Sequence, residues 1–194
     1  MQAVSVRTLR PSSLSRTLAL AAPAVSLVVT RADAAFDTYI KFYDIKGESQ
    51  EKVHREWCDA LSFSFGTETP VLIGGGGGGG AGKATAKPFV ITKRVDKASP
   101  QLFLKSVQGQ HLPTVTMELT KSGATTPVIF YKIVLTNAFV TKIYNSGATG
   151  DDGLTETIEL SYEKISIVYS SVDPKTGAPT AQPEVTWNFV ENTQ

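Results

Sequence analysis

The sequence predicts a mainly β fold: an antiparallel β-barrel, closed or nearly so, with one short α-helix packed on its outside. Three observations point there. From Ala35 onward the chain is a succession of alternating or β-branched stretches separated by turn residues. One segment alone, near residue 100, carries helix start and stop signals. A single cysteine, Cys58, excludes an internal disulfide, so the fold rests on a hydrophobic core.

The strands follow in order. FDTYIKF (36–42) places Phe36, Thr38, Ile40 and Phe42 on one face, and LSFSF (61–65) places Leu61, Phe63 and Phe65 opposite Ser62 and Ser64. FVITKRV (89–95), VTMELT (115–120) and the long VIFYKIVLTNAFVTKIY (128–144) come next. In LTETIELSYEKISIVY (154–169), Ile158, Leu160 and Tyr162 share one parity and Ile165, Ile167 and Tyr169 the other. A strand cannot change parity without an irregularity, which predicts a bulge or bend near Glu163-Lys164. EVTWNFV (184–190) closes the domain. Turns are marked by Ser122-Gly123, Asn145-Ser146-Gly147, Gly150 to Gly153 and Asp173 to Gly177. The helix opens at DKASPQ, with Ser99 as N-cap and Pro100 at the first helical position, offers Leu102, Phe103 and Val107 as an apolar face, and ends at Gly109.

Residues 1–34 differ from this body. Arg7, Arg10, Arg16 and Arg31 stand against Asp33 alone, and Leu18 to Val29 is an apolar run too short to span a bilayer comfortably. Ala32-Asp33-Ala34 offers a cleavage point, so the pattern fits a secretory signal. An organelle transit peptide or translation from a wrong start fits the same residues. In each case the segment lies outside the folded domain of 35–194.

Composition excludes several functions. The whole chain holds 19 basic and 18 acidic residues, net +1, with no strong basic patch for nucleic acid. His54, His111 and Cys58 are too few for a zinc site of His and Cys, and no cofactor or metal is expected. His54, in the charged ESQEKVHREW, reads as solvent-facing, His111 as a surface residue after the helix, and Asp151-Asp152 as a solvated turn. No nucleophile stands beside a base, so no catalytic residue is assigned.

GGGGGGGAGK (74–83) nearly matches a phosphate-binding loop in the register Gly77-x-x-x-x-Gly82-Lys83. The magnesium-binding Ser or Thr is replaced by Ala84, Pro88 opposes a helix, and FVITKRV reads as a strand. The alternative is a flexible loop, because polyglycine is poorly ordered unless a partner holds it.

AFDTYIKFYDIKGES (35–49), LSFSFG (61–66), the glycine loop, ITKRVDKASPQLF (91–103), LTETIELSYEKISIVY (154–169) and TWNFVEN (186–192) appear in an order and spacing that resemble the haemolysin-coregulated proteins, the Hcp family of type VI secretion. The resemblance covers 35–194; family members begin near Ala34-Ala35-Phe36, so residues 1–34 depart from the pattern.

The resemblance implies a barrel with a lateral helix, assembled as a homo-hexameric ring. It implies that rings stack into a tube inside a contractile sheath behind spike proteins, and that the tube is expelled with small effectors in its lumen, without enzymatic activity or membrane insertion. Assembly would be cytoplasmic, followed by secretion, and this route needs no cleavable signal. The segment matching LSFSF faces the lumen in the family, so Ser62 and Ser64 are candidates for cargo contact. Thr67–Ala86 matches the family's extended, ring-stacking loop. There Val71, Leu72 and Ile73 would anchor against the next ring, while Gly74, Gly77, Gly82 and Lys83 let the loop take shape on stacking. A secreted β-barrel binding module, directed by residues 1–34, is the alternative.

Overall fold

A computed structural model describes residues 36–72, 80–121, 127–173, 178–180 and 183–194. Its strands are β1 (Asp37–Phe42), β2 (Cys58–Ser64), β3 (Thr67–Glu68), β4 (Val71–Leu72), β5 (Gly80–Ala81), β6 (Thr85–Ala86), β7 (Phe89–Arg94), β8 (His111–Lys121), β9 (Val128–Ser146), β10 (Thr155–Tyr169), β11 (Ser171–Val172), β12 (Pro179–Thr180) and β13 (Val185–Asn188). The helix α1 spans Ser99–Gln108. Residues 1–34, Ser122-Gly123 and Pro174 to Gly177, named above from the sequence, lie outside the described residues.

The sheet runs β10-β7-β2-β1-β8-β9 and closes because β9 pairs with β10 again. Every pairing is antiparallel. Closure removes the free edges that make an open sheet prone to association. One short strand, β13, extends the sheet on β10 beyond the end of β7: β7 covers Thr155–Leu160 and β13 covers Lys164–Ile167.

The inward parity of each strand fills the barrel. Ile40 and Phe42 from β1, Phe89 and Ile91 from β7, and Ile158 and Leu160 from β10 are fully buried. Burial of a side chain the size of Phe89 contributes about 2–3 kcal/mol. Leu61 departs from its expected place: it is 57% exposed. Ala60 faces Lys93 and Ser62 faces Thr92, so Leu61 is the extra residue of a bulge. Phe63 and Phe65 still pack on the core, and Phe65 stacks on Phe89 at 5.2 Å.

The parity change expected near Glu163-Lys164 is a bend, not a bulge. The β9–β10 register is the same on both sides: Tyr162 faces Ala138 and Lys164 faces Thr136. Opposite Glu163 stands Asn137, in the left-handed conformation at φ 51°, and its Nδ2 donates to Glu163 Oε2 at 2.7 Å. Buried positions change parity on three adjacent strands along this line, from Leu112 to Val115, Leu135 to Ala138 and Tyr162 to Ile165. Asparagine tolerates this backbone better than most residues. On β8 the residue aligned with Asn137 is Pro113, which has no N–H to donate. A true bulge lies nearby on β9, where Thr141 is skipped between the pairs Glu159–Lys142 and Leu160–Val140.

Gly109 ends the helix at φ 61°, as expected, its N–H reaching Lys105 and Ser106 carbonyls. The start differs. The N-cap is Ala98 without a side-chain cap, and Ser99 is the first helical residue. Ser99 Oγ instead accepts from the Asp96 N–H at 3.0 Å and donates to Glu156 at 2.6 Å. Of the expected apolar face only Leu102 is buried; Phe103 and Val107 are 54% and 63% exposed.

Candidate functional site

The outward face of β2 continues across three further strands. Ser62 pairs with Thr92, Thr92 with Thr157 and Thr157 with Tyr144. One pair further along, Ser64, Val90, Glu159 and Lys142 form a second row. Ser62 and Ser64 are both exposed. They stand opposite the core-facing Phe63, as alternation predicts. The only charges in these two rows, Lys142 and Glu159, pair at 3.0 Å. The wall is therefore rich in hydroxyls and locally neutral.

The segment between β2 and β7 is a ribbon. Thr67–Glu68 pairs with Thr85–Ala86, and Val71–Leu72 pairs with Gly80–Ala81. The Gly82 N–H donates to the Pro70 carbonyl at 2.8 Å, and Lys87 forms an ion pair with Glu68. Lys83 Nζ donates to the Val190 carbonyl at 3.0 Å, fastening the ribbon's base to the C-terminal segment. This lysine is spent on a carbonyl and is followed by a strand, so the helix that a phosphate loop requires is missing after it. Val71 is 56% exposed. Ile73, Gly74 and Gly77 lie outside the described residues.

Two polar clusters escaped the sequence reading. The first lies inside the barrel. Lys93 is fully buried, with Asp96 Oδ1 and Glu156 Oε1 each 2.6 Å from its Nζ. Burial alone would push the Lys93 ammonium down, but the hydrogen bonds it donates to Asp96 and Glu156 overcome it and hold the group above its usual value. Neighbouring Cys58 has its thiol pushed well up by burial, and Asp96 adds to the effect, so it is no thiolate nucleophile. The signal was present in the sequence: Lys93 shares the parity of Phe89 and Ile91, and Glu156 that of Ile158 and Leu160.

The second cluster corrects His54, which is buried and not solvent-facing. The segment 43–57 folds back over the outer face of β1 and β8. The His54 ring stacks on Tyr39 at 4.3 Å, with Trp57 edge-on at 4.8 Å. Its Nδ1 lies 2.8 Å from Glu51 Oε2 and its Nε2 2.8 Å from Glu118 Oε2, while Glu118 Oε1 pairs with Lys132 at 2.9 Å. Burial pushes the Tyr39 phenol up to about 12, reinforced by the nearby Asp37, Glu51 and Asp59. No spacing rule connects His54 to Glu118 across 64 residues. By contrast His111 is exposed, as expected, and Asp151 closes its turn by accepting the Ala148 N–H at 2.7 Å.

Among the described residues, no group of three or more His, Cys, Asp or Glu could hold a metal ion, and no helix is long and apolar enough to cross a membrane.

The family described as "Type VI secretion system effector, Hcp" matches residues 39–169, from β1 to the end of β10. The chain is 33% identical over 163 residues to Protein hcp1 of Pseudomonas aeruginosa, covering 82% of this chain and 99% of that one. A solved type six secretion system protein superimposes with a TM-score of 0.77 at 31% identity, covering 82% and 99% of the two chains. Hcp1 from Salmonella typhimurium does so with 0.66 at 25% identity, covering 82% and 98%. A closed six-stranded barrel, a lateral helix and a ribbon after the second strand thus coincide with a match across the barrel, and the chain belongs to the Hcp family of type VI secretion proteins.

Proposed function

We propose that this protein is the tube subunit of a type VI secretion machine: six copies close a ring, rings stack through the ribbon between β2 and β7, and the hydroxyl-rich wall bearing Ser62 and Ser64 faces the lumen and carries small effector proteins. The contractile sheath and spike proteins would surround and cap the tube. The observation that carries this reading is the ribbon itself. It leaves a barrel that is already closed, and it exposes Val71 where the chain's own core gains nothing from it. An apolar side chain presented this way suits contact with another copy.

A ring is a heterologous assembly in which one patch binds a different patch on its neighbour. The barrel needs no edge strand for this, so the contacts are between side chains. The wall of Ser62, Thr92 and Thr157 offers donors and acceptors without net charge, which suits reversible holding of cargo. Its role is to bind and shield, with no bond made or broken.

Light scattering of the purified chain tests the ring directly. A mass six times the 20.8 kDa chain is expected; a monomer at micromolar concentration sinks the ring reading. Substituting Val71, Leu72 and Ile73 together with Ser is expected to leave that mass unchanged and abolish stacked rings in electron micrographs. Tubes of normal length from this variant would remove the ribbon's assigned role.

A further inference from the structure

We propose that the segment 43–57 is an acid-released latch over the outer face of β1 and β8, closed by the ionised Glu51 carboxylate gripping His54. The geometry is that of a fastening. Glu51 Oε2 accepts from the backbone N–H of Val53 at 2.7 Å and of His54 at 2.7 Å, and lies 2.8 Å from His54 Nδ1. Three donors on one oxygen demand a charged acceptor. On its far side the ring meets Glu118, so both nitrogens can donate at once only as imidazolium. Lys132 from β9 pairs with the other oxygen of Glu118 at 2.9 Å, so Glu118 is held from both sides.

The titratable groups around this cluster are Asp37 and Tyr39 from β1, Asp59 from β2, Glu118 from β8 and Lys132 from β9, with Lys41 lying 6.0 Å from the Trp57 ring. What the latch covers is outward-facing. Tyr39 and Glu118 point away from the barrel core, yet they are 8% and 6% exposed because the segment lies over them. The segment's own backbone closes on itself through Gly47 N–H to Glu56 O at 2.7 Å, Ser49 N–H to Trp57 O at 2.9 Å and Glu56 N–H to Ser49 O at 3.0 Å.

Burial works to raise the Glu51 carboxyl, but the hydrogen bonds from His54 and Val53 outweigh it and hold the group below its ordinary value. A carboxyl lowered in the folded state gives stability that is complete above the ordinary carboxylate range. That stability is lost as pH falls through the folded value. Protonated Glu51 accepts less strongly from the Val53 and His54 N–H groups, and frees the segment to lift from Tyr39 and Trp57.

Trp57 reports the latch, and Trp187→Phe leaves it as the sole tryptophan. In that background, acidification is expected to move Trp57 emission to the red while far-UV circular dichroism of the barrel is unchanged. Glu51→Gln, which cannot titrate, is expected to show no transition in the same window. Hydrogen exchange at Gly47, Ser49 and Glu56, corrected for intrinsic rates, gives the same readout in the unsubstituted chain should Trp187→Phe fail to fold. Four results overturn the latch: an emission shift only together with loss of the barrel signal, the same transition in Glu51→Gln, its disappearance in Glu118→Gln alone, or no transition at all.

Discussion

Two long connectors leave β2, and they behave in opposite ways. The one before it, 43–57, is dense in charge and reads as a solvated loop, yet it is fastened to the barrel by a buried histidine between two carboxylates. The one after it, 65–88, holds the longer apolar run, yet it stands out as a ribbon with Val71 exposed. Hydrophobicity alone would rank them the other way. The difference lies in where partners are. The charged connector finds Glu118 and Tyr39 on its own barrel, whereas among the described residues the glycine-rich one meets the core at Phe65 and Ala86 and pairs beyond them with its own strands and the Val190 carbonyl.

Removing the histidine breaks this contrast most strongly. His54→Ala leaves Glu51 and Glu118 facing each other's neighbourhood without the ring between them, and the expected loss is about 3 kcal/mol by the rule for a buried pair deprived of one partner. Urea denaturation measures it; a loss below about 1 kcal/mol would mean the segment is not anchored by this ring.

The same substitution in the two connectors should differ in effect. A Cβ on Gly47 would lie 2.3 Å from the Trp57 carbonyl oxygen and 2.6 Å from Cys58 Sγ. Gly47→Ala is therefore expected to cost about 1–3 kcal/mol, as overpacking does. A Cβ on Gly80 meets nothing within 4 Å. Gly80→Ala should be neutral or stabilise by about 0.4–1 kcal/mol, through the entropy of the unfolded chain. The melting temperature of Gly47→Ala should fall while that of Gly80→Ala stays or rises, and an equal fall in both would erase the difference between the connectors.

The smallest effect belongs to the ribbon's apolar run. Substituting Val71 with Ser is expected to change the stability of the isolated chain by less than about 0.5 kcal/mol, as for exposed positions generally. A larger loss in thermal unfolding of the unstacked protein would show that Val71 packs on its own barrel.

Much of the wall was legible because alternation is local: Ile40 and Phe42, Ile158 and Leu160, and the outward Ser62 and Ser64 follow from parity alone. Leu61 and Ser99 were misplaced for a shared reason. A bulge and a cap depend on what a neighbouring strand or side chain offers, here Thr92 for the register and Glu156 for the serine hydroxyl. The sign of a parity break could be seen near Glu163, but only the facing Asn137 decided that it is a bend.

By itself, then, the sequence determined the barrel, its helix end at Gly109, the absence of a disulfide framework and the family pattern, since each rests on side-chain period, backbone preference or order along the chain. Strand parity already turned Lys93 and Glu156 inward, but tertiary structure alone decided which partner each buried polar group meets. Lys93 meets Glu156 and His54 meets Glu118 across 63 and 64 residues, and a charge is held inside only when a distant strand brings its counterion within hydrogen-bonding reach.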